Sequence, residues 1–209
     1  MTEDRVRELI ADVDRADSAD SLLDAVKALS AAESIGAIAK LVEVLGYNNP
    51  GAAVAAVDGL IAIGEPSVLP LLEQLDGYNY GARAWAIRAL AGIGDPRGLD
   101  ILLTAADDFS LSVRRAAARG LGALRWQDLE IDRLPDAQNK VLETLLQTTE
   151  DPEWVVRYAA VVGLETLATS PNLAVSNSPI HQRLEEMTAQ EVEKGVRARV
   201  WLSLNRIEG

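Results

Sequence analysis

The chain has 209 residues, a formal net charge of −12, no cysteine and one histidine, His181. The charge opposes binding to nucleic acid or anionic membranes, and the missing cysteines exclude disulfides, thiolate metal sites and a cysteine nucleophile, so no metal site is predicted. No apolar run approaches the roughly 20 residues that span a bilayer and no signal-peptide core is present, which predicts a cytoplasmic protein without membrane insertion.

The N-terminal segment, residues 1–34, has the pattern of two helices. Residues 2–13 place apolar side chains at helical spacing, which predicts a first, amphipathic helix. A side-chain oxygen of Asp20 or Ser21 is predicted to cap a second helix that ends near Leu29.

Regular helix pairs follow over residues 35–126. The motif at residues 63–66 (IGEP) returns 30 residues later at 93–96 (IGDP), and each copy predicts the end of one helix and the start of the next. The predicted pairs are 35–45 with 51–63, 67–75 with 81–93, and 97–106 with 111–124.

The C-terminal half is less regular. Residues 127–138 lengthen the repeat and predict an inserted loop, after which 139–168 forms another pair. Residues 169–181 are rich in Ser, Asn and Pro and predict a second loop. Residues 182–209 predict the closing helices.

A longer motif repeats in register with these pairs. Residues 81–90 (GARAWAIRAL) return 31 residues later at 112–121 (SVRRAAARGL), and the register recurs near Arg157 and Arg197. A short helical hairpin cannot bury its apolar face alone, so neighbouring hairpins must stack. No long segment alternates at period two, and aromatic residues are only 4%. The sequence predicts one all-α domain over 1–209, a right-handed α-solenoid of HEAT-like repeats forming a superhelical crescent.

Arginine is concentrated in the middle of this acidic chain. Residues 81–126 contain seven Arg and four Asp. Four arginines share one register position, and Asp108 and Asp151 each lie six residues before one of them, the spacing of a structural ladder between turns. The four are Arg83, Arg114, Arg157 and Arg197.

Two stretches closely resemble the F-type (beta) subunits of cyanobacterial heterodimeric phycocyanobilin lyases. They are residues 75–97 (LDGYNYGARAWAIRALAGIGDPR) and 108–122 (DFSLSVRRAAARGLG). The resemblance implies a heterodimer with an E-type partner of the same repeat family. It also implies that this heterodimer attaches phycocyanobilin, as substrate and not as cofactor, to a cysteine of the phycocyanin α subunit. A sister branch that also isomerises the bilin carries a His-Cys motif near residues 78–81, where this chain has YNYG; simple attachment is therefore expected.

Bilin chemistry then selects candidate residues. Guanidinium groups match propionate carboxylates, flat aromatic rings match pyrrole rings, and a carboxylate can accept pyrrole N–H groups. Asp107 and Asp108 are the candidates for proton chemistry. The predicted bilin-binding residues are Tyr78, Tyr80, Arg83, Trp85, Arg88, Arg114, Arg115 and Arg119.

Two alternatives remain open at the level of sequence. A non-catalytic HEAT-like adaptor or chaperone in phycobilisome assembly or degradation would show the same repeats. A lyase for phycoerythrobilin or phycoerythrin would share the motifs as well.

Overall fold

The structure is a computed structural model that describes residues 2–75 and 80–208, with only the backbone of Tyr80. Within these residues it contains twelve α-helices, α1 to α12, and no strand. The all-α prediction is confirmed. Residue contacts divide the chain into two compact units, residues 1–93 and 94–209, which are described in turn. The single domain expected over 1–209 stays a prediction.

The first unit contains six helices. In chain order α1 to α6 span Glu3–Arg15, Ala19–Ser30, Ile38–Val44, Pro50–Ile63, Val68–Gln74 and Tyr80–Ile93. Each odd helix pairs with the next even one, while α2, α4 and α6 stack side by side. Small residues permit this stacking: a Cβ added to Gly59 would lie 2.6 Å from the Ser30 hydroxyl, which itself donates a 2.8 Å hydrogen bond to the Ala55 carbonyl.

The second unit repeats this arrangement. In chain order α7 to α12 span Leu99–Ala105, Leu111–Gly122, Leu134–Thr148, Trp154–Ala168, Ser178–Gln190 and Lys194–Glu208. The even helices α8, α10 and α12 again stack side by side, and α8 with α10 is the most extensive helix pair in the unit. A Cβ at Gly122 would lie 2.1 Å from the Gly163 carbonyl oxygen, so the two backbones are in direct contact. Helix pairs therefore stack as predicted for an α-solenoid.

The Gly-acid-Pro steps turn the chain as expected. Gly64 and Gly94 have positive φ, 78° and 69°, which glycine adopts without steric penalty. The buried Asp95 side chain accepts hydrogen bonds from the amide and side chain of Arg97, while Arg125 contributes a further ion pair at 3.2 Å. A 3₁₀ turn then leads into α7.

Several boundaries differ from the predicted ones. The second helix is capped by Ser18 and not by Asp20 or Ser21; Ser21 instead completes a capping box by bonding back to the Ser18 amide. Helix α9 begins at Leu134, inside the predicted loop 127–138, because Pro135 lies in its first turn, where proline is tolerated. Helix α11 begins at Ser178 for the same reason, since Pro179 follows. Both loops are thus shorter than predicted.

Candidate functional site

The ladder arginine Arg114 is used for structure. Its Nε and Nη2 donate to the two carboxylate oxygens of Asp151 at 2.6 and 3.1 Å, and its Nη1 donates to the carbonyls of Asp108 and Phe109 at 2.9 and 3.2 Å. The side chains of Arg114 and Asp151 are only 14% and 8% exposed. Burial is the largest single influence on the pKa of Asp151 and acts to raise it. The hydrogen bonds from Arg114 and from the Glu153 amide, together with the positive charges of Arg114 and Arg157, nevertheless hold that pKa below its usual value. Arg114 has little capacity left for a ligand.

The next repeat has the same arrangement. Arg157 donates two 2.8 Å bonds to the Glu191 carboxylate and two more to the carbonyls of Asp151 and Pro152. The bond from Arg157 is the main reason that the pKa of Glu191 lies below its usual value. Arg197 donates to the Glu191 carbonyl at 3.1 Å. The predicted ladder is confirmed in the second unit.

Arg83 occupies the same register in the first unit. It lies half-buried on α6, and the turn that precedes it, residues 76–79, is outside the described residues. Tyr78 and the side chain of Tyr80 are outside them as well, so these parts of the predicted bilin site stay predictions.

Trp85 and Arg88 form a cation–π pair on the exposed face of α6. The Arg88 guanidinium carbon lies 5.5 Å from the centre of the indole ring, within the distance at which such pairs attract. Arg88 is exposed and Trp85 is half-buried, whereas Ala82, Ala86 and Ala89 of the same helix are fully buried. Trp85 therefore presents part of its ring beside the core, next to a cation.

Arg115 and Arg119 lie on the exposed face of α8. Unlike their neighbour Arg114, they make no ion pair or hydrogen bond through the side chain with any described residue. No acidic residue occurs in α8, and the only one in α10 is Glu165. Glu165 is buried and ion-paired with Arg199 and Arg206. Among the described residues the two arginines thus form a positive pair without an ion-pair partner, in a chain of net charge −12.

Tyr158 of α10 is an exposed aromatic that sequence reasoning did not select. Its exposed fraction is 38%, and Trp154, one turn earlier, is 48% exposed. Tyr158 directly follows the ladder arginine Arg157, just as Arg115 directly follows Arg114. This position in the repeat was the signal for exposure that the sequence offered, because the residue after Arg114 and the residue after Arg157 both lie on the exposed face.

Asp107 and Asp108 lie in the turn between α7 and α8. They line a groove of about 630 Å³ at the ends of α7 and α9, together with Phe109 and Arg114. Asp107 is exposed, and the Asp108 carboxylate accepts the Ser110 amide at 2.9 Å. Asp108 also occupies the register of Asp151 and Glu191, the carboxylates of the ladder. The geometry gives Asp108 a role in the turn, and the groove leaves Asp107 reachable from solvent.

Within the described ranges, 2–75 and 80–208, no helix combines the length and apolar character required to cross a membrane. No group of three or more His, Cys, Asp or Glu side chains in the same ranges is arranged to hold a metal ion.

Stacked helix pairs are the architecture of an α-solenoid, and a comparison with protein families agrees. Residues 70–165 match the family of HEAT repeats. The chain is therefore an α-solenoid of HEAT-like repeats.

Full-length similarity is more specific. The chain is 52% identical over 197 residues to phycocyanobilin lyase subunit beta of Nostoc sp., which covers 94% of this chain and 97% of that protein. It is 53% identical over 203 residues to the phycocyanin alpha phycocyanobilin lyase CpcF of Synechocystis sp., covering 97% and 94% respectively. A solved structure, the complex of CpcE and CpcF of phycocyanin lyase from Nostoc sp., contains a chain that is 53% identical with a TM-score of 0.73, covering 81% of this chain and 99% of that one. The chain belongs to the family of phycocyanobilin lyase beta subunits.

Proposed function

We propose that this chain is one subunit of a heterodimeric bilin lyase. With an E-type partner it attaches phycocyanobilin to a cysteine of the phycocyanin α subunit in the cytoplasm. The observation that carries the proposal is the 52–53% identity, over nearly the whole chain, to proteins named for this activity. The solved complex of two such subunits supports the heterodimer. The adaptor alternative has no comparable support.

The chemistry is consistent with a chain that contains no cysteine. The substrate protein supplies the thiol, which adds across the ethylidene double bond on ring A. One C–S bond forms, the thiol proton is lost and a proton is added to the tetrapyrrole. A thiol on the lyase itself would compete for the bilin. The tasks of the lyase are therefore to hold the dianionic chromophore and to exclude other nucleophiles.

The exposed faces of the even helices supply suitable groups for holding it. Arg115 and Arg119 are positive groups without an ion-pair partner among the described residues, and Trp85 with Arg88 places a ring beside a cation. Guanidinium groups bind carboxylates through charge-assisted hydrogen bonds. We therefore retain Trp85, Arg88, Arg115 and Arg119 as bilin-binding candidates and assign Arg114 to the ladder.

Co-expression tests the proposal. This chain, an E-type partner, the enzymes that make phycocyanobilin and the apo-phycocyanin α subunit are expected to give a covalent, zinc-fluorescent product on a denaturing gel. The product is expected to have the absorption of unisomerised phycocyanobilin. Controls omit this chain, omit the partner or replace the substrate cysteine by serine, and each should abolish the product. A complete system that yields no covalent product above these controls contradicts the proposed function.

A further inference from the structure

Helices α8 and α10 lie side by side, and their contacts define how residues of one helix align with residues of the other along the helix axes. Gly163 contacts both Ala118 and Gly122, because a Cβ at Gly163 would lie 2.4 Å from the Ala118 carbonyl and one at Gly122 would lie 2.1 Å from the Gly163 carbonyl. The start of α8 is tied to the turn before α10 through Arg114 and Asp151. The two helices therefore run parallel, with Gly163 level with the middle of the segment 118–122.

This alignment places Tyr158 at the same level along the helix pair as Arg115. Tyr158 lies five residues before Gly163, and Arg115 lies five residues before the middle of 118–122. Arg119 is one turn further along α8, about 6 Å in rise. Close backbone contact at Gly122 and Gly163 keeps the two helices adjacent. We call the exposed surface that carries Arg115, Arg119 and Tyr158 the α8–α10 face.

No acidic side chain among the described residues forms an ion pair with the arginines of this face. Arginines at positions i and i+4 repel each other, which disfavours the helix slightly. The ladder arginine Arg114, which directly precedes Arg115, is neutralised by Asp151, whereas Arg115 and Arg119 lack any such partner among the described residues. An anion with two negative groups would offset the repulsion. The adjoining phenol ring, 38% exposed, would contact a flat conjugated part of the same molecule.

We infer that the α8–α10 face binds the two propionate carboxylates of an open-chain tetrapyrrole on Arg115 and Arg119 and one of its pyrrole rings on Tyr158. The inference rests on the proposed function and adds Tyr158 as a chromophore-contacting residue. The two propionates belong to adjacent inner rings, so a pair of cations one helical turn apart suits them. The ring plane then lies across α10, where Tyr158 is the exposed aromatic at the level of Arg115.

The test compares phycocyanobilin with its dimethyl ester, which retains the rings and loses both negative charges. Binding is measured by absorption titration on the purified complex of this chain with its E-type partner. The wild-type complex is expected to bind the acid at least tenfold more tightly than the ester. Arg115→Gln and Arg119→Gln should each weaken binding of the acid about five- to tenfold and leave the ester almost unaffected. The matched control is Arg133→Gln, at an exposed arginine that likewise has no ion pair in the described structure.

A second set of variants tests the ring contact. Tyr158→Ala should weaken binding of acid and ester equally and shift the absorption band of the bound chromophore, whereas Tyr158→Phe should preserve both. Phe109→Ala, at an aromatic that is 80% exposed in the turn before α8, is the control.

Three results would overturn the inference: equal affinity of the wild type for acid and ester, equal losses for both ligands in the arginine variants, or an unchanged spectrum in Tyr158→Ala. Covalent attachment is assayed on the same preparations. Attachment that persists alongside any of these results removes the α8–α10 face and leaves the proposed function intact. A wild-type complex that binds bilin with the predicted selectivity but forms no thioether supports the α8–α10 face and contradicts the proposed function.

Discussion

Replacing Arg114 by alanine should destabilise the protein far more than replacing its neighbour Arg115. The substitution removes both bonds to the Asp151 carboxylate and both bonds to the turn carbonyls of Asp108 and Phe109. It also leaves Asp151, 8% exposed, as a buried charge without its partner. Breaking a buried ion pair in this way costs about 3–5 kcal/mol.

Urea unfolding measures the difference. With a slope of about 2 kcal/mol per molar urea, a loss of that size lowers the midpoint by about 2 M. Arg115→Ala, at an exposed position that has no ion pair within the described part of the chain, should change the free energy of unfolding by no more than about 0.5 kcal/mol. The double variant Arg114→Met with Asp151→Leu should recover part of the loss, because two apolar side chains can replace a buried pair.

The same experiment separates structure from ligand binding. Arg114→Ala protein that remains folded at low temperature should bind phycocyanobilin as the wild type does, although sequence analysis placed Arg114 among the bilin-binding residues. The ladder argument is refuted if Arg114→Ala and Arg115→Ala have equal urea midpoints, or if Arg114→Ala loses bilin affinity without losing stability.

Other consequences can be measured separately. Gly122→Ala should destabilise by about 1–3 kcal/mol, because the new methyl group would meet the α10 backbone, whereas Gly195→Ala should not, because its Cβ would make only an ordinary contact, 3.8 Å from the Glu193 carboxylate; equal thermal midpoints would contradict this. The folded pKa values of Asp151 and Glu191 are below their usual values, so the stability they provide is complete above the unfolded carboxyl pKa of about 4 and is lost as the pH falls through the lower folded values. Urea midpoints should therefore fall in acid, and a midpoint that is flat from pH 5 to pH 2 would exclude this contribution. Trp85→Phe should abolish most of the bilin-induced quenching of indole fluorescence and change the bound chromophore's spectrum; quenching that persists unchanged would show that Trp85 only fills space.

The regular helices could be predicted because short-range signals specify them. The motif at 63–66 and its copy at 93–96 combine a glycine that can adopt positive φ with a proline that can only begin a helix. Their observed φ values, 78° and 69° at Gly64 and Gly94, follow from this chemistry. The start of α9 at Leu134 could not be read in the same way, because a proline in a first turn and a proline in a loop look alike in the sequence.

The candidate site was predictable only in part. Spacing alone identified the ladder, since an acidic residue lies six positions before both Arg114 and Arg157. Ser18 and Ser21 show the limit of such rules, since both carry a capping hydroxyl and only the entry path of the chain decides which one caps α2. Tyr158 was missed because an aromatic in an alanine-rich helix is usually core, whereas here 38% of it is exposed.

Adjacent arginines can serve opposite purposes because successive helix positions point about 100° apart. Arg114 points to the turns, where Asp151 neutralises it, and Arg115 points away to the exposed face of α8. In the second unit the ladder arginines Arg114 and Arg157 are each paired with one carboxylate, Asp151 and Glu191. Helix α8 itself contains no acidic residue, and Arg115 and Arg119 have no ion-pair partner among the described residues. The −12 charge of the whole chain repels a dianion at long range, so a bilin held here depends on short-range contacts with Arg115 and Arg119. That dependence predicts large losses from single arginine substitutions on the α8–α10 face and small ones at exposed arginines outside the bilin-binding candidates, such as Arg133.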